Sequence, residues 1–123
     1  IVVTDYKTGS PARDWKGKSE YEKIKLHHYR QQLMFYQLLV QNSRDYRKYR
    51  FDKGVLQFVE PDTKGVIHTL DAHFNENELE NFSKLITGVW QHIMSLTFPD
   101  VTSFDATLAG IQAFEQAIID KVL

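Results

Sequence analysis

Asp5 and Lys7 stand two residues apart in the segment Val2-Val3-Thr4-Asp5-Tyr6-Lys7, whose apolar, β-branched opening predicts a strand over residues 1 to 7. Alternate side chains of a strand share a face, so a carboxylate and an ammonium project from the same side. A carboxylate can hold a hard divalent cation such as Mg2+, which prefers oxygen ligands and keeps several waters. An ammonium can orient a water or offset negative charge on a phosphate. Those are the tools of phosphodiester hydrolysis. The same spacing also builds an ordinary surface ion pair worth about 0–1 kcal/mol, and the triplet alone does not separate the two readings.

Gln32 and Tyr36 lie four apart in a stretch where Leu26, Tyr29, Leu33, Tyr36 and Val40 recur at helical steps, predicting a helix over Glu20 to Gln41. They share one face of it, a polar pair between the apolar runs Leu33-Met34-Phe35 and Leu38-Leu39-Val40. A buried amide without a partner costs about 1–3 kcal/mol. Gln32 therefore bonds either to nearby backbone or to a polar group on a neighbouring element, and the Tyr36 hydroxyl reaches either solvent or the same site.

With these residues in view, Asp5-Tyr6-Lys7-Thr8-Gly9 resembles one form of the PD-(D/E)xK motif, and Gln32-Leu33-Met34-Phe35-Tyr36 resembles the Gln-x-x-x-Tyr motif of RecB-like nucleases, in the same strand-then-helix order. More loosely, the later part of the chain is similar to nuclease domains at the C-terminus of UvrD/Rep-type DNA helicases. The resemblance implies an α/β, restriction-endonuclease-like mixed sheet flanked by helices, in the order β-α-β-β-α-α. It implies hydrolysis of DNA with Mg2+ or Mn2+, in repair or recombination, by a protein that is also an ATP-dependent helicase. DNA and the helicase domains of the parent chain would be the partners. Carried over by position, Asp5 is a metal ligand, the Tyr6 carbonyl a second ligand, Lys7 the assistant of the attacking water, and Gln32 and Tyr36 orient the site or contact the DNA backbone. Gly9 would permit a tight turn after the catalytic strand, although any turn can use glycine.

Two departures from that family matter. A full RecB-like site also has an acidic residue on a preceding strand and usually a histidine upstream, and this chain opens on the Asp-x-Lys strand itself. Residues 1–123 are therefore expected to be a single domain, the C-terminal part of such a nuclease, inactive alone. The subgroup with an iron–sulfur cluster uses four cysteines and this chain has none, so no such cluster is expected. From another class, the runner-up is a non-catalytic DNA-binding or protein-docking module that keeps the fold.

The remaining elements must position these groups. Residues 54 to 59 and 65 to 70, rich in Val, Ile, Leu and Phe around Glu60-Pro61-Asp62-Thr63-Lys64, predict a β-hairpin. Asn75 with Glu78 predicts a capped second helix bearing Leu79, Phe82, Ile86, Val89, Ile93 and Leu96 on its buried face. Thr102 or Ser103 is expected to cap a third, buried through Leu108, Ile111, Phe114, Ile118 and Val122. A long helix separates the first strand from the others, which predicts a non-local pairing and a mixed sheet. The apolar run around Leu33 to Val40 predicts a first helix covered on most sides.

Composition narrows the classes. With 42% apolar and 25% charged residues in 123, and no apolar run near the roughly 18 residues of a membrane span, the chain reads as a soluble cytoplasmic protein without membrane contact. The lack of cysteine removes disulfides, thiolate metal sites and cysteine nucleophiles. The net charge of -1 conceals an asymmetry: residues 1 to 53 carry 12 Lys/Arg against 6 Asp/Glu, and residues 54 to 123 carry 3 against 10. A basic first half suits a polyanion. His27, His28, His68, His73 and His92 show no ligand spacing, and Glu76, Glu78 and Glu80 suit a helix N-terminus rather than catalysis. Trp15, Tyr46 and Tyr49 stand among basic residues; they could stack on nucleobases, but packing at a half-buried position is the expected role. An unpaired edge on the opening strand would allow a homodimer.

Overall fold

Val2–Lys7 forms the first strand (β1), and the long helix that follows it (α1, Glu20–Asn42) carries the chain back so that the next strand (β2, Lys53–Phe58) lies parallel to β1. This computed structural model describes residues 1–122. The third strand (β3, Thr69–Ala72) pairs antiparallel with β2, giving a mixed sheet in the order β1-β2-β3 with β1 at an edge. Two parallel neighbours cannot be joined by a tight turn, so a crossover of the length of α1 is what this pairing requires. The α/β class, the element order and the mixed sheet are as the sequence predicts. By contacts the chain divides into two compact units, one over Ile1–Phe74 and one from Asn75 onward.

In the first unit, α1 starts where Ser19 caps it: the Ser19 hydroxyl accepts from the Glu22 amide at 3.1 Å, and Glu20 and Glu22 place negative charge in the first turn. Its buried stripe is Leu26, Leu33 and Gln37. Leu33 is fully buried and rests on Gly54 of β2, where an added Cβ would lie 3.1 Å from the Leu33 Cβ. Along β2 the residues alternate, with Gly54, Leu56 and Phe58 buried, so one face of the strand meets the core. Ala12, Leu26, Leu33, Leu56, Phe58, Leu70 and Ala72 form that core, with Trp15, Tyr29, Tyr36 and Phe74 packed at its margin. Each fully buried Leu or Phe contributes about 1.5–3 kcal/mol of transfer free energy.

The first unit corrects two expectations. Phe35 and Leu39 are 42% and 53% exposed, so α1 is not covered on most sides; the sheet packs against one stripe of it only. The hairpin's second strand begins at Thr69 rather than 65, because Asp62 takes over the connecting backbone. Its carboxylate accepts from the amides of Lys64 and Val66 at 2.8 and 2.9 Å and meets His68 Nε2 at 2.8 Å. Gly65, at φ +79°, supplies the left-handed residue that this loop needs.

The second unit holds two helices, α2 (Glu76–Ser95) and α3 (Leu108–Asp120), packed on each other. Asn75 and Glu78 form the expected capping box, and Leu96 ends α2 in the left-handed conformation. Gly88 is buried where a Cβ would run into Ile118, so the two helices approach closely. Thr107 caps α3, not Thr102 or Ser103. Those two lie in a turn held by Asp100, whose carboxylate accepts from the Thr102 amide at 3.0 Å. Leu79 is buried as expected, but Val89, Ile93 and Leu96 are 40%, 50% and 77% exposed. Among the described residues no helix is long and apolar enough to cross a membrane.

The Asp62 loop has a pH signature. The His68 side chain, then the Val66 and Lys64 amides, hold the Asp62 carboxyl at about 2, below its ordinary 3.8, against the opposing effect of burial. A depressed carboxyl stabilises the folded state fully above its unfolded pKa, and that contribution is lost as pH falls through about 2. Hydrogen exchange should therefore show the Lys64 and Val66 amides losing protection between pH 3.8 and 2; in Asp62→Asn that loss should disappear.

Candidate active site

The α1 side of β1 carries a small polar cluster. Asp5 and Lys7 share that face with side chains 14% and 18% exposed, while Tyr6 between them points the other way and is 63% exposed. Lys7 Nζ lies 3.1 Å from Asp5 Oδ2 and donates to Gln32 Oε1 at 2.6 Å. It also sits 4.6 Å from the centre of the Tyr29 ring, within range of a cation–π attraction. One ammonium thus gathers a carboxylate from its own strand, an amide from a helix 25 residues away and an aromatic face. Gln32 is exposed, so it is not the buried amide that its apolar flanks suggest; the buried amide of α1 is Gln37, 7% exposed.

Asp5 Oδ2 is sealed from solvent and accepts no hydrogen bond; its contact with Lys7 is close enough for an ion pair but not aligned as a hydrogen bond. A buried carboxylate oxygen with an unused lone pair suits a cation. The Lys7 carbonyl accepts from Val59 and the Ile1 carbonyl from Asp52, so odd-numbered carbonyls of β1 face β2. By alternation the Tyr6 carbonyl turns to the open edge. Mg2+ is commonly held by one or two carboxylates and otherwise by water, so Asp5 with the Tyr6 carbonyl fits as part of such a donor set. Among the described residues no three His, Cys, Asp or Glu gather as a complete metal cage.

Tyr36, one turn beyond Gln32, is half-buried and packs on the core margin, with no hydrogen bond to its hydroxyl among the described residues. Tyr29, one turn before Gln32, meets Lys7 instead. The sequence signal for Tyr29 was its place at i−3 from Gln32 on the same helix face; its helical periodicity marked it as core. Gly9, at φ +93°, makes the left-handed turn that leads the chain away after β1. Trp15 is half-buried as expected and donates to the Asp71 carbonyl at 2.8 Å. Tyr46 and Tyr49 are not: both are more than half exposed, in a turn with Arg44, Arg47, Lys48 and Arg50. His68 serves the Asp62 loop, and His92 meets the Thr97 carbonyl after α2.

A family model described as the PD-(D/E)XK nuclease superfamily matches residues 1–106. No curated protein and no solved structure matches the chain.

The cluster's internal dependence can be measured. Lys7→Met leaves the sheltered Asp5 carboxylate without its counter-charge and the Gln32 carbonyl without its donor, and should destabilise the fold by about 1–3 kcal/mol in urea unfolding. Much of that loss should be recovered when Asp5→Asn is added, because the residues are energetically coupled. Additive effects of the two changes would mean that the contact is too weak to organise the site.

Proposed function

Because the chain belongs to the PD-(D/E)XK nuclease superfamily, we propose that its Asp5–Lys7–Gln32 cluster serves hydrolysis of DNA phosphodiesters, as the C-terminal part of a RecB-like nuclease domain in an ATP-dependent DNA helicase of UvrD/Rep type acting in repair or recombination. The observation that supports this most is the meeting of motif residues from β1 and α1 at one ammonium, Lys7 Nζ, 2.6 Å from Gln32 Oε1 and 3.1 Å from Asp5 Oδ2.

Asp5 and the Tyr6 carbonyl would hold Mg2+ or Mn2+, which supplies neutralisation of the phosphate charge when bound. Lys7 donates to the attacking water or to a non-bridging phosphate oxygen and offsets the charge that develops there. The water's oxygen forms its bond to phosphorus as the bond to the leaving sugar oxygen breaks, the water releasing a proton to solvent and the leaving oxygen taking one up from it. Gln32 acts as a positioning residue, fixing the ammonium by its hydrogen bond. Tyr36 offers its hydroxyl to the DNA backbone. The site has one carboxylate, and a second acidic residue, brought by a strand added at the open edge of β1, would complete it. The same edge could pair with a second copy of the chain. The chain on its own is expected to cut DNA weakly or not at all.

In the full-length parent protein, Lys7→Ala should lower Mg2+-dependent DNA cleavage about 100- to 1000-fold, the usual effect of removing one preorganised donor from a transition state. Cleavage at the parental rate would remove Lys7 from the mechanism.

A second reading, a non-catalytic DNA-binding module, is favoured by the exposed turn of Arg44, Arg47, Lys48 and Arg50 with Tyr46 and Tyr49. Binding through that turn releases counterions, so affinity for labelled DNA should fall steeply with salt and be reduced by Arg47→Ala with Arg50→Ala. Under the nuclease reading Mg2+ also strengthens binding, through Asp5; under the second, Mg2+ and Asp5→Asn make no difference.

A further inference from the structure

A cavity of about 280 Å³ lies between the start of α1 and the loop that follows β1. Ala12, Leu26 and Phe58 give it an apolar floor, and the Tyr29 ring that meets Lys7 is also part of its lining. Ser10, Ser19 and Glu22 supply hydroxyl and carboxylate groups. The volume is just under the range of about 300–1,000 Å³ for sites that take drug-sized ligands, so the cavity suits a single flat ring system.

Two features indicate what that ring system carries. Lys25 also lines the cavity, lies 5.7 Å from the Tyr29 ring and has no ion pair among the described residues. Two ammonium groups, of Lys7 and Lys25, thus share one aromatic ring at the cavity wall. Tyr21 stands in the lining with 78% of its surface exposed, an aromatic side chain with little packed against it. Aromatic faces for bases, interleaved with cations for successive phosphates, are the arrangement by which proteins hold single-stranded nucleic acid.

We propose that this cavity, whose Tyr29 wall also meets Lys7, receives one unpaired nucleobase of a DNA strand. The proposal rests on the nuclease reading for its substrate but not for its test. A base within a duplex could enter only by being flipped out, which costs unstacking and unpairing energy. The base would lie on the Phe58 and Leu26 floor against Tyr29, with Tyr21 closing over it and its phosphate near Lys25.

The test uses the intact chain in EDTA, so no cleavage is involved. Fluorescence anisotropy compares labelled oligothymidylate of about eight nucleotides, within the usual range of single-strand site sizes, with a strand of equal length made of abasic sugars. The thymidylate strand should bind more tightly. Tyr21→Ala, and the cavity-filling Ser10→Trp, should each weaken it about 5- to 100-fold, the range expected for one stacked base, and leave abasic binding unchanged. Equal affinity for the two strands, or full discrimination by both variants, would overturn the proposal. The two ideas fail separately: a parent protein that cuts DNA through Lys7 while the chain ignores bases sinks only the pocket. Base discrimination in a parent protein that never cuts sinks only the nuclease.

Discussion

The Lys7 ammonium is the constraint around which the first unit is arranged. A charged amine that is 18% exposed has lost much of its hydration and needs replacements fixed in direction. A carboxylate two residues away on its own strand gives one, but strand geometry alone cannot supply the rest. The amide and the ring come from α1, and α1 can reach only because it crosses over between two parallel strands and lies on them. Topology and site are thus the same requirement seen at two scales: the non-local pairing of β1 with β2 brings residues separated by 25 positions to one atom.

Elements whose signals are local were legible in the sequence. The Asn75–Glu78 capping box opens α2 through hydrogen bonds spanning three residues. That Asp5 and Lys7 share a face was legible from the strand period; that Gln32 of another element meets Lys7 was legible only through the family resemblance. What was misread depended on competition between neighbouring groups. Asp62 draws the Lys64 and Val66 amides into its loop and delays β3, and Asp100 holds Thr102 in a turn that leaves capping of α3 to Thr107. Apolar periodicity also overstated burial, since Phe35, Leu39, Val89 and Ile93 lie on stripes with little packed against them. Tyr29 was read as packing because an aromatic at a core period gives no sign that its face will meet a cation.

Charge follows the same division. The α1–β2 turn carries four exposed cations with two exposed tyrosines, and the Asp52 amide, just beyond it, bonds to the carbonyl at the start of β1. Lys7 ends the same strand. At about 3.3 Å per residue, six residues of β1 separate the two by roughly 20 Å, several nucleotides of a strand. Under the nuclease reading, a DNA strand would meet cations at both ends of β1, with the proposed chemistry at one of them.

Gly54 sets a dimension that no polar residue controls. Because β2 offers no side chain there, Leu33 descends onto the strand, and an added methyl would meet it at 3.1 Å. The height of α1 above the sheet is thus defined by a missing atom, and Gln32, the neighbour of Leu33 in the chain, inherits that height as its distance to Lys7. Lifting the helix by a few tenths of an ångström to admit that methyl would cost about 1–3 kcal/mol, the usual effect of overpacking a core. It would also stretch a 2.6 Å hydrogen bond, so one clearance serves as a spacer for both the core and the polar cluster above it.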